Sequence, residues 1–419
     1  MRTIFHIDVN SAYLSWTSVE NLKTGNGPDL REIPAIIGGD QKTRHGVVLA
    51  KSIPAKKFGI HTGEPVVNAL KKCPNLVMAP PNHDLYHAYS CRMMDFLHSL
   101  TPDIEQVSID ECFLDFTGIS HRYPSPYAAA RYIKDEIHSR FGFTVNVGIS
   151  SNKLLAKMAS DFEKPDKVHT LFPPEIPKKM WPLPVRDLLF LGKASEQRLL
   201  QEGIKTIGDM AQSGEAELKR ILGEKAGHQL YRYANGIDDS PVRAEREEAK
   251  GYSAETTVEE DLVTYEQALA LLLAQCDVVA ARMRRDGKKC SCVAVTYRTL
   301  DFKTRSHQRA FEDPTDVTDE IFAQVKKLLY ECWKCEPLRL IGMALTDLTT
   351  DDFRQISLFE NLDEREKQKK ADEAFDDIRR RFGNGMIVRG STMSTAGKVA
   401  RKAKAQMDQD VRIKKEKEK

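Results

Sequence analysis

No run of about 18 apolar residues occurs in this chain, so the sequence offers no transmembrane helix, and no membrane partner is expected. No signal-peptide pattern precedes the first strand-like segment, so a cytoplasmic location is expected. Excess charge of either sign is also missing. The 63 Lys and Arg stand against 61 Asp and Glu, which leaves +2. There is no global field to draw the chain onto a polyanion, and any basic surface must be local. Cysteine is sparse and scattered, with 8 in 419 residues. Cys290-Ser291-Cys292 lies in a strand-like run and Cys332/Cys335 in a helix-like run. Neither has a four-ligand zinc spacing, and no histidine cluster accompanies them. Reduced structural thiols are the expectation. What remains is an ordinary water-soluble composition, 41% hydrophobic and 30% charged, on a chain long enough for several domains.

Against that background two acidic sites stand out. In Val107-Ser108-Ile109-Asp110-Glu111-Cys112-Phe113-Leu114-Asp115, two adjacent carboxylates sit inside an apolar, β-favouring run. Neighbours on a strand point to opposite faces, so one carboxylate would be driven to a covered side. That costs several kcal/mol unless the charge is paired or holds a metal. A bend at Asp110-Glu111 would present both side chains at one rim and give a cation two hard oxygen donors. A β-turn with solvated acids is the alternative for a lone pair. The second site is Ile4-Phe5-His6-Ile7-Asp8-Val9-Asn10, a short buried strand with Asp8 at its end. Asp8 alone could cap the following helix. Together, the three carboxylates can hold two divalent cations about 4 Å apart for phosphoryl or nucleotidyl transfer.

Residues 1–166 mix strand and helix signals, with helices expected on one face of the sheet. The class is therefore α+β and multidomain rather than doubly wound. The proline-rich stretch Pro173-Pro174-Glu175-Ile176-Pro177 breaks the pattern, and helices dominate to about residue 237. Within them, 189–199 reads as a helix-hairpin-helix, whose Gly192 and Lys193 would face a phosphate. Residues 251–350 read as strand, helix, strand, strand, helix, strand. Arg298, Lys303, Arg305, His307 and Arg309 would give one antiparallel pair a polar, mostly basic face suited to tracking phosphates. The tail turns polar after 350. In it, Gln355-Ile356-Ser357-Leu358-Phe359 precedes a charged helix, 363–382, and the remainder is expected to be disordered.

The order of these motifs carries a likeness. Asp8-Val9-Asn10-Ser11-Ala12-Tyr13, Ser108-Ile109-Asp110-Glu111, the run Gly148-Ile149-Ser150-Ser151-Asn152-Lys153-Leu154-Leu155-Ala156-Lys157-Met158-Ala159-Ser160 and Lys164-Pro165 resemble Y-family translesion DNA polymerases of the bacterial DinB/UmuC group. The resemblance runs to about residue 350. It implies a palm (1–10 and 80–166), small fingers (11–79), a helical thumb (167–240), a linker (241–250), a βαββαβ little finger (251–350) and a clamp-binding tail (351–419). By motif position, Asp8, Asp110 and Glu111, with the Val9 carbonyl, correspond to the ligands of two Mg2+ ions. Tyr13 corresponds to a steric gate against the ribonucleotide 2′-hydroxyl. Lys164 and Lys56 correspond to triphosphate contacts. Gln355, Leu358 and Phe359 correspond to a peptide that docks a sliding clamp. The implied partners are primer-template DNA and deoxynucleoside triphosphates, the implied state a monomer, and the implied activity low-fidelity synthesis across damaged template.

Two positions depart from the family pattern. Where relatives often carry Tyr and Arg to grip the triphosphate, this chain has Ile53 and Lys56. Lys56 keeps the charge without the bidentate fork, and Ile53 cannot hydrogen-bond a phosphate. Lys51 or Ser52 would have to compensate. Phe190 stands where the thumb hairpin has its first glycine, so the hairpin is expected to be either distorted there or used only structurally. The rival readings are a catalytically silent clamp-binding scaffold, which would be expected to lose metal carboxylates, and a palm-type nucleotidyl cyclase, which needs no DNA.

Overall fold

The computed structural model describes residues 2–39, 46–245, 248–351, 362–383 and 386–390. Two compact units are present, one formed by Met1–Gly38 and Val48–Arg246, the other by Gly39–Val47 and Glu247–Lys419.

The first unit is organised by a five-stranded sheet of order β5-β6-β1-β7-β8. Its strands are β1 (Ile4–Val9), β5 (Ile104–Gln106), β6 (Glu111–Asp115), β7 (Val145–Ser150) and β8 (Val168–Thr170). Only the β7–β8 pairing is parallel. β1 is the central strand and reads Ile-Phe-His-Ile-Asp-Val. Its Phe5, Ile7 and Val9 point into a core shared with α1 (Ala12–Thr24), α4 (His83–His98) and α5 (Pro126–Phe141). Ser125 caps α5 by accepting from the Ala128 N–H, and Gly142 ends it in the left-handed conformation.

The expectation of helices on one face alone is corrected by α6 (Lys153–Ser160). It crosses the opposite face over β1 and β7, where Ile4, Phe113 and Ala156 pack together. Gly148 makes this approach possible, because a Cβ there would lie 1.9 Å from the Ala156 carbonyl oxygen. The apolar side of α6 then joins the core of the helical segment that follows. That segment comprises α7 (Ile176–Lys179), α8 (Lys193–Gln201), α9 (Ile207–Ser213), α10 (Glu215–Leu222) and α11 (Glu224–Ala234). A three-stranded sheet of order β3-β2-β4 lies between β1 and α4 in sequence, with β2 (Ala35–Gly38), β3 (Val48–Lys51) and β4 (Val77–Ala79). Short helices α2 (Ile53–Lys57) and α3 (Val66–Lys72) cover it.

The second unit follows the expected order: β9 (Gly251–Leu262), α12 (Tyr265–Arg285), β10 (Lys289–Thr299), β11 (Thr304–Thr315), α13 (Thr318–Cys332) and β12 (Leu338–Thr349). Its antiparallel sheet, β11-β10-β12-β9, packs one face on α12 and α13, and the charged helix α14 (Leu362–Phe382) follows.

Candidate active site

Strand register assembles the acidic rim. Asp8 lies directly across from Glu111 on one side of β1 and from Asn146 on the other. Cross-strand partners share a face, so Asp8 and Glu111 stand side by side, with His6 two residues back in the same row. Asp110 is the last residue before β6, and its carbonyl accepts the Val9 N–H at 3.0 Å. The bend therefore ends at Asp110, while Glu111 opens the strand. Neither alternative reading of these acids holds. The N-cap of α1 is Ser11, not Asp8. Glu111 is paired rather than solvated, and the Ser108 hydroxyl donates to Asp110 Oδ1 at 2.6 Å.

Each carboxylate has its own counter-group. Lys164 Nζ bonds Asp8 and reaches Asp161 at 2.8 Å. Burial nonetheless holds Asp8 above the usual carboxylate range, against the pull of Lys164. Glu111 Oε2 meets His6 Nε2 at 3.2 Å and also bonds Lys157 Nζ. The His6 hydrogen bond, seconded by Lys157, lowers Glu111 to about 2 despite partial burial. A carboxylate only accepts, so His6 Nε2 carries a proton. His6 Nδ1 lies 2.8 Å from Ser160 Oγ on α6. His6, Lys157 and Ser160 escaped the sequence reading as site residues. A signal existed for His6, two residues before Asp8 on a strand. None existed for the pairing of Lys157 with a carboxylate 46 positions away.

Among the described residues, no group of three or more His, Cys, Asp or Glu side chains is already arranged to hold a metal ion. Asp8 turns to Lys164, Asp110 to Ser108, and Glu111 to His6 and Lys157. The donor chemistry still fits a hard divalent cation, because three carboxylates meet at one sheet rim and two of them, Asp8 and Glu111, face single-point ammonium groups.

Tyr13, on the first turn of α1, is half-buried where two cores meet. Its ring stacks on Tyr86 with centroids 4.3 Å apart and planes 10° apart. Burial raises its phenol, and the charge of Asp110 raises it further. Tyr13 is thus within electrostatic reach of the rim. Ile53 and Lys56 are exposed on α2. Among the described residues, no hydrogen bond or ion pair joins Lys56 to the rim.

Of the two proposed substitutes for the missing grip, Ser52 is already engaged by the backbone. Ser52 is buried, accepts from the Ala35 and Ala55 N–H groups, and donates to the Ile33 carbonyl. Lys51 pairs across from Ile36, whereas Ala50, one residue away, faces the core against which Tyr13 packs. Lys51 therefore lies on the face of the sheet that α2 covers, where Ile36 packs with Ala55. Burial, and then the charge of Lys56, push the Lys51 amine down.

The residues expected to touch DNA divide. Gly192 is the N-cap of α8 without a side-chain cap, and Lys193 is its first residue; both are exposed. Phe190 takes φ +66°, a left-handed conformation that is costly for a residue with a Cβ and that glycine adopts freely. In the second unit the single basic face is corrected. Arg305 and Arg309 pair with Tyr297 and Val293, whose side chains are buried on the helix-covered face. Arg298 pairs with Thr304 on the opposite face, and Lys303 lies in the turn beside Asp301. Arg305 and Arg309 are ion-paired to Glu336 and Glu331. Period-two alternation across a fixed hairpin register separates residues that sequence proximity grouped. Gln355, Leu358 and Phe359 lie outside the described residues.

Known proteins match this architecture along most of the chain. Residues 7–161 match the impB/mucB/samB family, residues 249–358 its C-terminal domain, and residues 186–238 the thumb domain of DNA polymerase-iota. DNA polymerase IV of Clostridium acetobutylicum is 45% identical over 388 residues, which cover 93% of this chain and 97% of that protein. DNA polymerase IV of Moorella thermoacetica is 37% identical, over 88% of this chain and 92% of that protein. A solved Y-family DNA polymerase chimera of Dbh and Dpo4 shares the fold, with a TM-score of 0.70 at 22% identity. That match covers 83% of this chain and all of the chimera. An acidic sheet rim and a likeness that runs along most of the chain agree: the chain belongs to the Y-family DNA polymerases, in the bacterial DNA polymerase IV group.

Proposed function

We propose that this DNA-directed DNA polymerase adds deoxynucleotides to a primer 3′ end by two-metal nucleotidyl transfer, with low fidelity and across damaged template. The observation that carries the reading is the rim itself: Asp8 on the central strand opposite Glu111, with Asp110 alongside. A silent scaffold would not need three acids held at one sheet rim.

Asp8, Asp110, Glu111 and the Val9 carbonyl would hold two Mg2+ ions. When bound, these supply a lowered pKa for the primer hydroxyl and charge neutralisation for the leaving pyrophosphate. The protein's own groups do the remaining work. Lys164 meets triphosphate charge from the rim, and Lys56 meets it from α2. Tyr13, held flat against Tyr86, fills the volume of a 2′-hydroxyl and so selects deoxynucleotides. Residues 11–79 act as fingers too small to press closely on the nascent pair, residues 1–10 and 80–166 as palm, 167–240 as thumb and 251–350 as little finger. Gly192 and Lys193 would contact backbone phosphates, as would Arg298, Lys303, Arg305 and Arg309, the last two after exchanging their glutamates. Gln355, Leu358 and Phe359 would dock a sliding clamp, with the polymerase acting as a cytoplasmic monomer.

Primer extension on undamaged and abasic templates tests this reading. Asp110→Ala, Glu111→Ala protein should still bind primer-template but lose extension by several orders of magnitude. Extension retained in that variant, or stalling of the unaltered enzyme at the lesion like a replicative polymerase, refutes the corresponding part.

A further inference from the structure

We propose that Lys164 is an exchangeable counter-cation. In the metal-free protein its ammonium occupies Asp8, and it passes to the triphosphate as a divalent cation takes its place, so that cation and nucleotide bind cooperatively. The inference rests on the reading of Asp8 as a metal ligand.

Three observations carry it. First, each rim carboxylate is already engaged by a group of the protein. Asp8 is engaged by Lys164. A divalent cation arriving alone must therefore displace an ammonium already in place. Second, Lys164 can leave without disturbing the core. Its side chain is 38% exposed, and a second acceptor, Asp161, lies 2.8 Å away. A lysine meets a carboxylate as a single mobile point charge, without the two-pronged geometry that locks an arginine. Third, the other groups facing Asp8 do not replace Lys164. His6 in the same row is bonded to Ser160 and Glu111, and Asp110 adds negative charge. Losing Lys164 would leave the Asp8–Asp110 pair short of positive charge, which a divalent cation supplies.

The consequence is a linkage. A triphosphate gives Lys164 new oxygen partners and lowers the cost of its departure from Asp8. Nucleotide then tightens cation binding, and the cation tightens nucleotide binding by the same factor.

Mn2+ binding to the full chain, followed by electron paramagnetic resonance with and without deoxynucleoside triphosphate, tests the exchange. Lys164→Ala and Lys164→Gln should bind Mn2+ alone about 5-fold tighter than the unaltered protein, and the gain on adding nucleotide should shrink. Lys167→Ala, which removes a neighbouring lysine paired with Glu163 rather than with the rim, should change Mn2+ affinity less than either Lys164 variant. Circular dichroism checks that each variant is folded, and the glutamine variant retains most of the side-chain bulk. If both Lys164 variants bind Mn2+ alone no tighter than the unaltered protein, Lys164 merely props Asp8 and the exchange is overturned. If Asp8→Asn keeps both Mn2+ affinity and primer extension, the metal-ligand reading of Asp8 falls instead, and the proposal with it.

Discussion

Both compact units hold poorly exposed acids, but they neutralise them with different cations. In the first unit, Asp8 and Glu111 meet Lys164 and Lys157. In the second, Asp277 in the middle of α12 is met by Arg379 and Arg389, and Asp372 of α14 by Arg284 and Arg389. Arg284 also grips Asp376 through two nitrogens, at 2.7 and 3.2 Å, and Asp372 accepts the Thr318 N–H at 2.8 Å. The arginine network is multiply connected: Arg284 meets Asp372 and Asp376, Arg389 meets Asp277, Asp319 and Asp372, and together they tie α14 to α12 and α13. The lysine contacts are point charges at a sheet rim, Lys164 shared between Asp8 and Asp161, and they are open to exchange. A similar charge complement thus serves fastening in one unit and ligand exchange in the other, and the choice of cation separates them.

The widest gap between the two should appear on truncation. Arg284→Ala leaves Asp372 and Asp376 undercompensated beside buried apolar groups and should cost the second unit about 3 kcal/mol or more in urea unfolding. The rim should respond in the opposite sense. Burial raises the folded pKa of Asp8 above its ordinary value, so at neutral pH the ionised acid is a net cost to folding, relieved only below that value. Asp8→Asn should abolish primer extension yet leave the metal-free melting temperature unchanged or a few degrees higher. A clear drop would place Asp8 among the fastening charges.

A gentler test restores an arginine to the nucleotide grip. Since Ser52 is consumed by capping, an Ile53→Tyr, Lys56→Arg double variant should lower KM for the incoming nucleotide. About 1 kcal/mol of added hydrogen bonding corresponds to roughly 5-fold. An unchanged KM would mean that α2 does not reach the triphosphate. The smallest effect is acid stability. Glu111 is depressed from 4.5 to about 2, so its contribution is complete above pH 4.5 and fades as pH falls toward 2. His6→Ala should flatten that part of the stability profile, and an unaltered acid limb would show that the His6 contact is not what holds Glu111.

Much of the rim was legible in the chain. Asp8 and Asp110-Glu111 were conspicuous because charge inside apolar strand patterns is costly, and local alternation placed them at a strand end and a bend. The order of elements in both units was equally local, carried by period and turn residues. The basic strands were misgrouped because residues near in sequence are sorted onto faces by register, which a hairpin's pairing settles. The cations were harder still: Lys164 lies 156 positions from Asp8, and His6 lies 105 from Glu111. The sequence by itself determined which acids are out of place and on which elements they ride, because propensity and periodicity act over a few residues. Only the tertiary structure decided which lysine, histidine or arginine answers each of them. An ion pair forms wherever chain packing brings opposite charges within contact, and that distance has no counterpart along the chain.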